Sequence, residues 1–281
     1  MSDMAIAENV ESGSGKDRGD ENFPVGSWLI RADLRPHVHA YYAFARNADD
    51  IADSSFLSPD DKVRRLDVMQ AVLLGDRDDG SPSASSLRAS LTATGVDPAH
   101  ATDLLVAFRQ DATTRRYGDW DELMDYCRVS AMPVGRYVLD LHGEDRATHA
   151  PSDALCAALQ VLNHLQDCAR DLADMDRCYL PVDTMQRFDV STEALCGRQA
   201  TAGLRRVLDE LLDRVDVLNR QAAGLPRLVR SRGLRLETAV ICGLARRLAA
   251  KLRRGDPIAG RVALGKPDGV AALVAALRYL P

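Results

Sequence analysis

"LQVLNHLQDCARDLAD", Leu159–Asp174, sets Asp167 and Asp171 four residues apart in a run rich in Leu, Ala and Val. Four residues is close to one helical turn, so on an α-helix the two carboxylates stack on one face. At about 100° per residue, Gln160, Asn163, Asp167 and Asp171 fall within a stripe about 80° wide. Val161, Leu165, Cys168 and Leu172 flank it on one side and Leu155 and Leu159 on the other, while His164, Gln166 and Arg170 interrupt the apolar ring. A solvated face is normally wider and richer in Lys and Glu. A narrow stripe of Asp, Asn and Gln between apolar walls predicts a helix whose charged edge looks inward.

The same device occurs earlier, in "FARNADDIAD", Phe44–Asp53, where Asp49 and Asp53 are again four apart. Asp50 points about 100° away, and Arg46 stands one turn before it to balance part of the charge. Either pair alone is most simply a solvated face with ordinary salt bridges. Two such pairs in apolar surroundings imply a shared cation site, because oxygen-only ligands without His or Cys select hard ions such as Mg²⁺, with Mn²⁺ as a substitute. Magnesium keeps several waters and completes its shell with phosphate oxygens, which points to a diphosphate-bearing substrate. Rival phosphate and metal motifs are missing: there is no Glu-x-x-His, no EF-hand loop and no G-x-x-x-x-G-K-[ST].

Outward from these stretches, apolar residues recur with helical period over roughly 29–53, 59–75, 84–94, 98–115, 119–142, 152–174, 201–223, 233–254 and 268–280. The expected class is all-α. Ser58 and Ser152 are placed to cap helices, and Asp76–Ser86 reads as a loop. Pro133 and Gly135, inside "VSAMPVG", predict a kink or interruption of their helix. Residues 1–20 read as a disordered tail and 21–281 as one helical domain, with no repeat and no long linker.

Composition narrows the function. A formal charge of -5 offers no field to gather nucleic acid. Six scattered cysteines without a C-x-x-C pair read as reduced cytosolic thiols, so a cytoplasmic location and no zinc site are expected. No apolar run is long enough to span a bilayer. The basic stretch Ala245–Arg254 and the apolar "GVAALVAALRYL" read as a solvated face and a docked terminal helix, with peripheral contact at the inner face of the membrane as the alternative.

With these residues in view, the sequence resembles the squalene/phytoene synthase family. "YYAFARNADDIAD" is similar to that family's first aspartate-rich motif, and "NHLQDCARDLADMDRCYLP" to its second, including Arg177, Tyr179, Leu180 and Pro181. "YCRVSAMPVG", Tyr126–Gly135, resembles the tyrosine segment between them, and "ENFPVGSWLI", Glu21–Ile30, together with "LQDCARD" resembles the hydroxysqualene synthase branch. The resemblance implies an isoprenoid synthase-type helical bundle around a central cavity. It also implies conversion of presqualene diphosphate to hydroxysqualene by water capture in hopanoid biosynthesis, with no need for NADPH. On this reading Asp49, Asp53, Asn163, Asp167 and Asp171 hold metal, and Tyr126 and the four paired aspartates are catalytic. Arg46, Tyr42, Gln160, Asn163, Arg177, Tyr179 and Phe23 meet the substrate, while Tyr41 and Phe44 line the lipid tunnel or simply pack. Gln166 and Arg170 stand where many relatives carry Arg and Glu, which touches substrate orientation. Implied partners are the prenyl diphosphate, an upstream presqualene diphosphate synthase and a downstream hydroxysqualene-processing enzyme. Presqualene diphosphate, squalene or phytoene synthesis is the nearest alternative activity, and a non-catalytic relative acting in complex assembly is another.

Overall fold

The computed structural model describes residues 9–11 and 29–280. Phe23, most of the Glu21–Ile30 segment and most of the tail at 1–20 lie outside the described residues. Contacts divide the chain into two compact units, residues 1–113 and 114–281.

The first unit contains four helices: α1 (Arg35–Asp53), α2 (Pro59–Leu74), α3 (Pro82–Thr94) and α4 (Ala99–Thr113). Local sequence sets their ends. Ser58 accepts the Asp61 amide with Pro59 following it, and Ser81 accepts the Ala84 amide with Pro82 following it. Gly75 and Gly95 close α2 and α3 in the left-handed region, at φ 87° and 70°. The loop expected at Asp76–Ser86 is therefore shorter, because Ser81 starts α3 before the apolar period becomes visible. Phe44, Ile51, Leu66, Met69, Leu87 and Leu105 interlock in a core without exposed surface.

The second unit is built on α7 (His149–Met175), 27 residues long, against which α5 (Trp120–Ser130), α6 (Met132–Leu141), α9 (Ala202–Ala222) and α11 (Arg232–Arg254) pack. Short helices α8 (Val182–Arg187) and α10 (Leu225–Leu228) lie in connections, and α12 (Lys266–Ala276) packs on α11. The interruption predicted at Pro133 is present: α5 ends at Ser130, α6 begins at Met132, and Ala131 between them leaves helical geometry at φ -122°. Ser152 is not a cap, in contrast to the sequence expectation. It is buried inside α7, which starts at His149 directly after a 3-10 turn that Asp145 caps; Pro151 is tolerated within the first turn.

Asp176 ends α7 in the left-handed region at φ 54°. The chain then doubles back: the Cys178 amide donates to the Arg115 carbonyl and the Val182 amide to the Tyr117 carbonyl, both at 2.9 Å, around an isolated parallel bridge between Arg116 and Cys178. This pairing brings Tyr117 alongside Tyr179.

Candidate active site

In the first unit, α1 carries the first aspartate group. The Arg46 guanidinium lies 3.3 Å from Asp49 and 3.1 Å from Asp50, so one cation serves two carboxylates. Asp50 is the more enclosed, its side chain 7% exposed against 38% for Asp49. Arg46 itself is largely covered, its side chain 19% exposed. Desolvation pushes the Asp49 pKa up to about 7; the Asp53 charge adds most to that, Asp111 and Asp50 add further, and Arg46 opposes it. Asp111, buried on α4, was not singled out from the sequence. Its signal was there: Leu104, Ala107 and Asp111 share one helical face, so an acid occupies a core position. Tyr41 is a core residue whose hydroxyl donates to the His100 carbonyl at 2.9 Å, and Phe44 is fully buried, so both pack; Tyr42 is half-buried.

In the second unit, the stripe on α7 is largely turned away from solvent. Asp171 is 7% exposed, the Asp167 side chain 13%, and Gln160 and Asn163 are half-buried. Asp167 holds two arginines, Arg170 at 2.9 Å and Arg261 at 3.0 Å. Arg261 comes from the segment 256–265 between α11 and α12. That segment is tied down by the Gln166 amide donating to the Val262 carbonyl at 2.5 Å, by Lys251 donating to the Ala263 carbonyl at 3.1 Å, and by Asp256 accepting the Ala200 amide at 2.8 Å. Gln166, read from the sequence as bearing on substrate orientation, thus has a definite contact of its own. Arg261 was missed because a loop has no periodicity to mark it.

An aromatic cluster stands beside the second pair. Tyr117, Tyr126 and Tyr179 have ring centroids 5.3–5.7 Å apart, and His164 stacks on Tyr179 at 3.5 Å with an interplanar angle of 13°. All four residues are buried. Burial pushes the His164 pKa down to about 3, with Arg177 adding to the effect, so this imidazole is neutral. Arg177 is buried at 5% exposure, and its Nη1 lies 3.4 Å from the Met175 sulfur.

The donor set fits a hard divalent cation. Around Asp49, enclosure and the neighbouring Asp53, Asp111 and Asp50 raise the proton affinity of the carboxylate against the opposing Arg46, which suits it to share a cation. Among the described residues no three His, Cys, Asp or Glu side chains gather as a complete metal-holding group. Magnesium does not require one: it binds through one or two carboxylates and takes the rest of its shell from water and substrate phosphate. All six cysteines are free thiols; burial drives those of Cys127, Cys156 and Cys168 up to about 12, well away from nucleophilic range.

Residues 16–267 match the family model described as squalene/phytoene synthase. A hydroxysqualene synthase of Sinorhizobium fredii is 44% identical over 87% of this chain and 84% of its own length. One from Rhodopseudomonas palustris is 44% identical over 94% of this chain and 90% of its own. Among solved structures, the squalene synthase HpnC of Alicyclobacillus acidocaldarius superposes with a TM-score of 0.74 at 32% identity, covering 84% of this chain and 90% of that one.

Proposed function

The chain belongs to the squalene/phytoene synthase family, and from that premise we propose that it is the enzyme converting presqualene diphosphate to hydroxysqualene in hopanoid biosynthesis. The observation that carries the reading is high identity, along nearly the whole chain, to relatives bearing that enzyme's name. The all-α fold and the two aspartate groups are consistent with it.

Asp49 and Asp53 on α1, and Asp167, Asp171 and Asn163 on α7, are the residues that would hold Mg²⁺, with Mn²⁺ as a substitute. When bound, the metal supplies charge that neutralises the diphosphate as it leaves. Arg177, which is buried, and Arg46, which is largely covered, are guanidiniums suited to orient phosphate oxygens, and Gln160 and Asn163 on α7 are neutral hydrogen-bonding groups for the same task. Departure of the diphosphate leaves a cyclopropylcarbinyl cation that must rearrange before water reaches it. The faces of Tyr126 and Tyr179, set in a buried aromatic cluster, can stabilise such charge while excluding bulk water. Tyr42 and Phe23 complete the set assigned to substrate. Because water ends the reaction, no hydride donor such as NADPH enters it.

Substrate and product are lipids, which bears on surfaces as well as on the site. Among the described residues no helix is long and apolar enough to cross a membrane. The α12 helix nevertheless turns Val270, Leu273 and Val274 outward, and contact with a membrane surface through this helix is part of the reading. An enzyme forming presqualene diphosphate must act before this one, and one consuming the alcohol must act after it.

Purified protein given presqualene diphosphate and Mg²⁺, without NADPH, is expected to yield hydroxysqualene by mass spectrometry. Unchanged substrate with every divalent metal tried would remove the proposal. A hydrocarbon product, or turnover of farnesyl diphosphate alone, would move the chain to a neighbouring activity of the same family.

A further inference from the structure

Resting on the hydroxysqualene reading above, we propose that His164 holds the water that captures the rearranged carbocation. Its Nε2 accepts a hydrogen bond from that water within the cluster of Tyr117, Tyr126 and Tyr179. Three observations on one side chain lead there. First, His164 is buried at 8% exposure, and among the described residues no group hydrogen-bonds its Nε2. A ring nitrogen enclosed in this way is costly to leave without a partner, and a water is the usual one. Second, His164 stands three residues before Asp167 and seven before Asp171 on α7. At about 100° per residue it therefore lies at the edge of the same helical face as the aspartate stripe. Third, its ring stacks on Tyr179 at 3.5 Å and lies 6.1 Å from Tyr126, the two aromatics assigned to the cationic intermediate. The stack fixes the ring plane, and with it the direction of the in-plane lone pair.

The chemistry of the last step favours this kind of holder. Water must stand ready in an otherwise dry, apolar enclosure, since a loose water would end the reaction before rearrangement. A carboxylate in the same place would be a strong enough base to pull a proton from the carbon beside the cation, giving a hydrocarbon instead of an alcohol. An imidazole nitrogen accepts a hydrogen bond and orients the water, and enclosure, which raises a carboxylate's proton affinity and lowers an imidazole's, makes it the weaker base of the two in such a place. In the capture itself the water oxygen gives an electron pair to the cationic carbon and the C–O bond forms. One water proton then leaves to the diphosphate that ionisation has already released, so the side chain ends unchanged.

The test separates ionisation from capture. Wild-type protein, His164→Phe and His164→Gln are each given presqualene diphosphate and Mg²⁺ in ¹⁸O-water. Released diphosphate is measured independently of the share of product carrying ¹⁸O, and far-UV circular dichroism checks folding. Phe keeps the stack on Tyr179 and loses the acceptor, whereas Gln keeps an acceptor oxygen. The Phe variant is expected to release diphosphate at close to the wild-type rate while its labelled alcohol falls by roughly tenfold or more, replaced by hydrocarbon from proton loss. The Gln variant is expected to recover most of the alcohol. A Phe variant that makes the alcohol in wild-type proportion overturns the assignment, as does a Gln variant that releases diphosphate normally yet loses the alcohol. Should the Phe variant not fold, the Gln variant decides alone by the same criterion. A wild-type protein that leaves the substrate intact overturns the reaction itself, and this role with it.

Discussion

Asp49 shows at the scale of one residue how a charge that costs stability serves a reaction. Desolvation first, and then the charges of Asp53, Asp111 and Asp50 against the opposing Arg46, raise its carboxyl pKa to about 7, far above the ordinary 3.8. Between those values the folded protein binds more protons than the unfolded chain. Asp49's contribution is therefore full below pH about 3.8 and is lost as pH rises through about 7. Asp49→Asn removes the ionisation. In chelator, its melting temperature relative to wild type should rise between about pH 5 and pH 8, and added Mg²⁺, which favours the ionised carboxylate, should close that gap. A difference unchanged by pH would refute the raised proton affinity of Asp49. Asp49→Ala and Asp167→Ala should each lower diphosphate release by about a hundredfold or more, with helix content intact by circular dichroism. Release near the wild-type rate in either variant would show that metal is held elsewhere. Asp167 is the sharper case, because Arg170 and Arg261 are left facing its gap and the folded state must bear that loss too.

At the scale of elements, α7 is held to its neighbours by contacts closer than side-chain volume normally permits. Gly135 on α6 faces Ser152 and Cys156 of α7: a Cβ there would lie 2.6 Å from the Cys156 sulfur and nearer still to Ser152 Oγ. Gly135→Ala should therefore destabilise the protein by about 1–3 kcal/mol, read from urea unfolding, because α6 must move off α7. A neutral outcome would mean that the two side chains turn aside freely. Sequence pattern was a good guide to such elements. Helical period located the long helices, Ser58 located a cap, and Pro133 marked the break between α5 and α6, because propensity, capping and period are local properties of the chain. What it missed depended on tertiary placement. Ser152 looks like a cap until the preceding turn, capped by Asp145, fixes where α7 starts. Asp111 reaches the first aspartate group from α4, Arg261 reaches Asp167 from the segment before α12, and Gln166 tethers that segment through Val262; no spacing within one stretch of sequence encodes such contacts. The four paired aspartates were legible because helical spacing itself displays them.

At the scale of the whole molecule, a chain of net charge -5 has no general attraction to anionic membranes, so any docking must be local. The α12 helix and the turn after it supply the local case. Its buried positions are the small Ala272 and Ala276, while Val270, Leu273, Val274 and Leu277 are exposed. A helix that only needs to dock on α11 would place the large residues inside. This one inverts that order and leaves an apolar stripe at i, i+3, i+4 and i+7 spacing. The neighbouring basic stretch is only partly available. Lys251 is tied to Asp268 at 2.6 Å, and Arg253 to Asp213 and Asp216 at 2.7 and 2.6 Å, whereas Arg246, Arg254 and Arg278 are exposed. Apolar insertion, with a small electrostatic part, is thus the mode to expect. Leu273→Glu combined with Val274→Glu should lower co-sedimentation with phosphatidylglycerol-containing vesicles by about tenfold or more. Turnover of detergent-dispersed substrate should stay close to wild type, since neither residue belongs to the aspartate groups or the aromatic cluster. Raising the salt should weaken vesicle binding only modestly if insertion dominates. Equal sedimentation of wild-type and variant protein would show that the stripe meets no membrane and that lipid reaches the enzyme by another face.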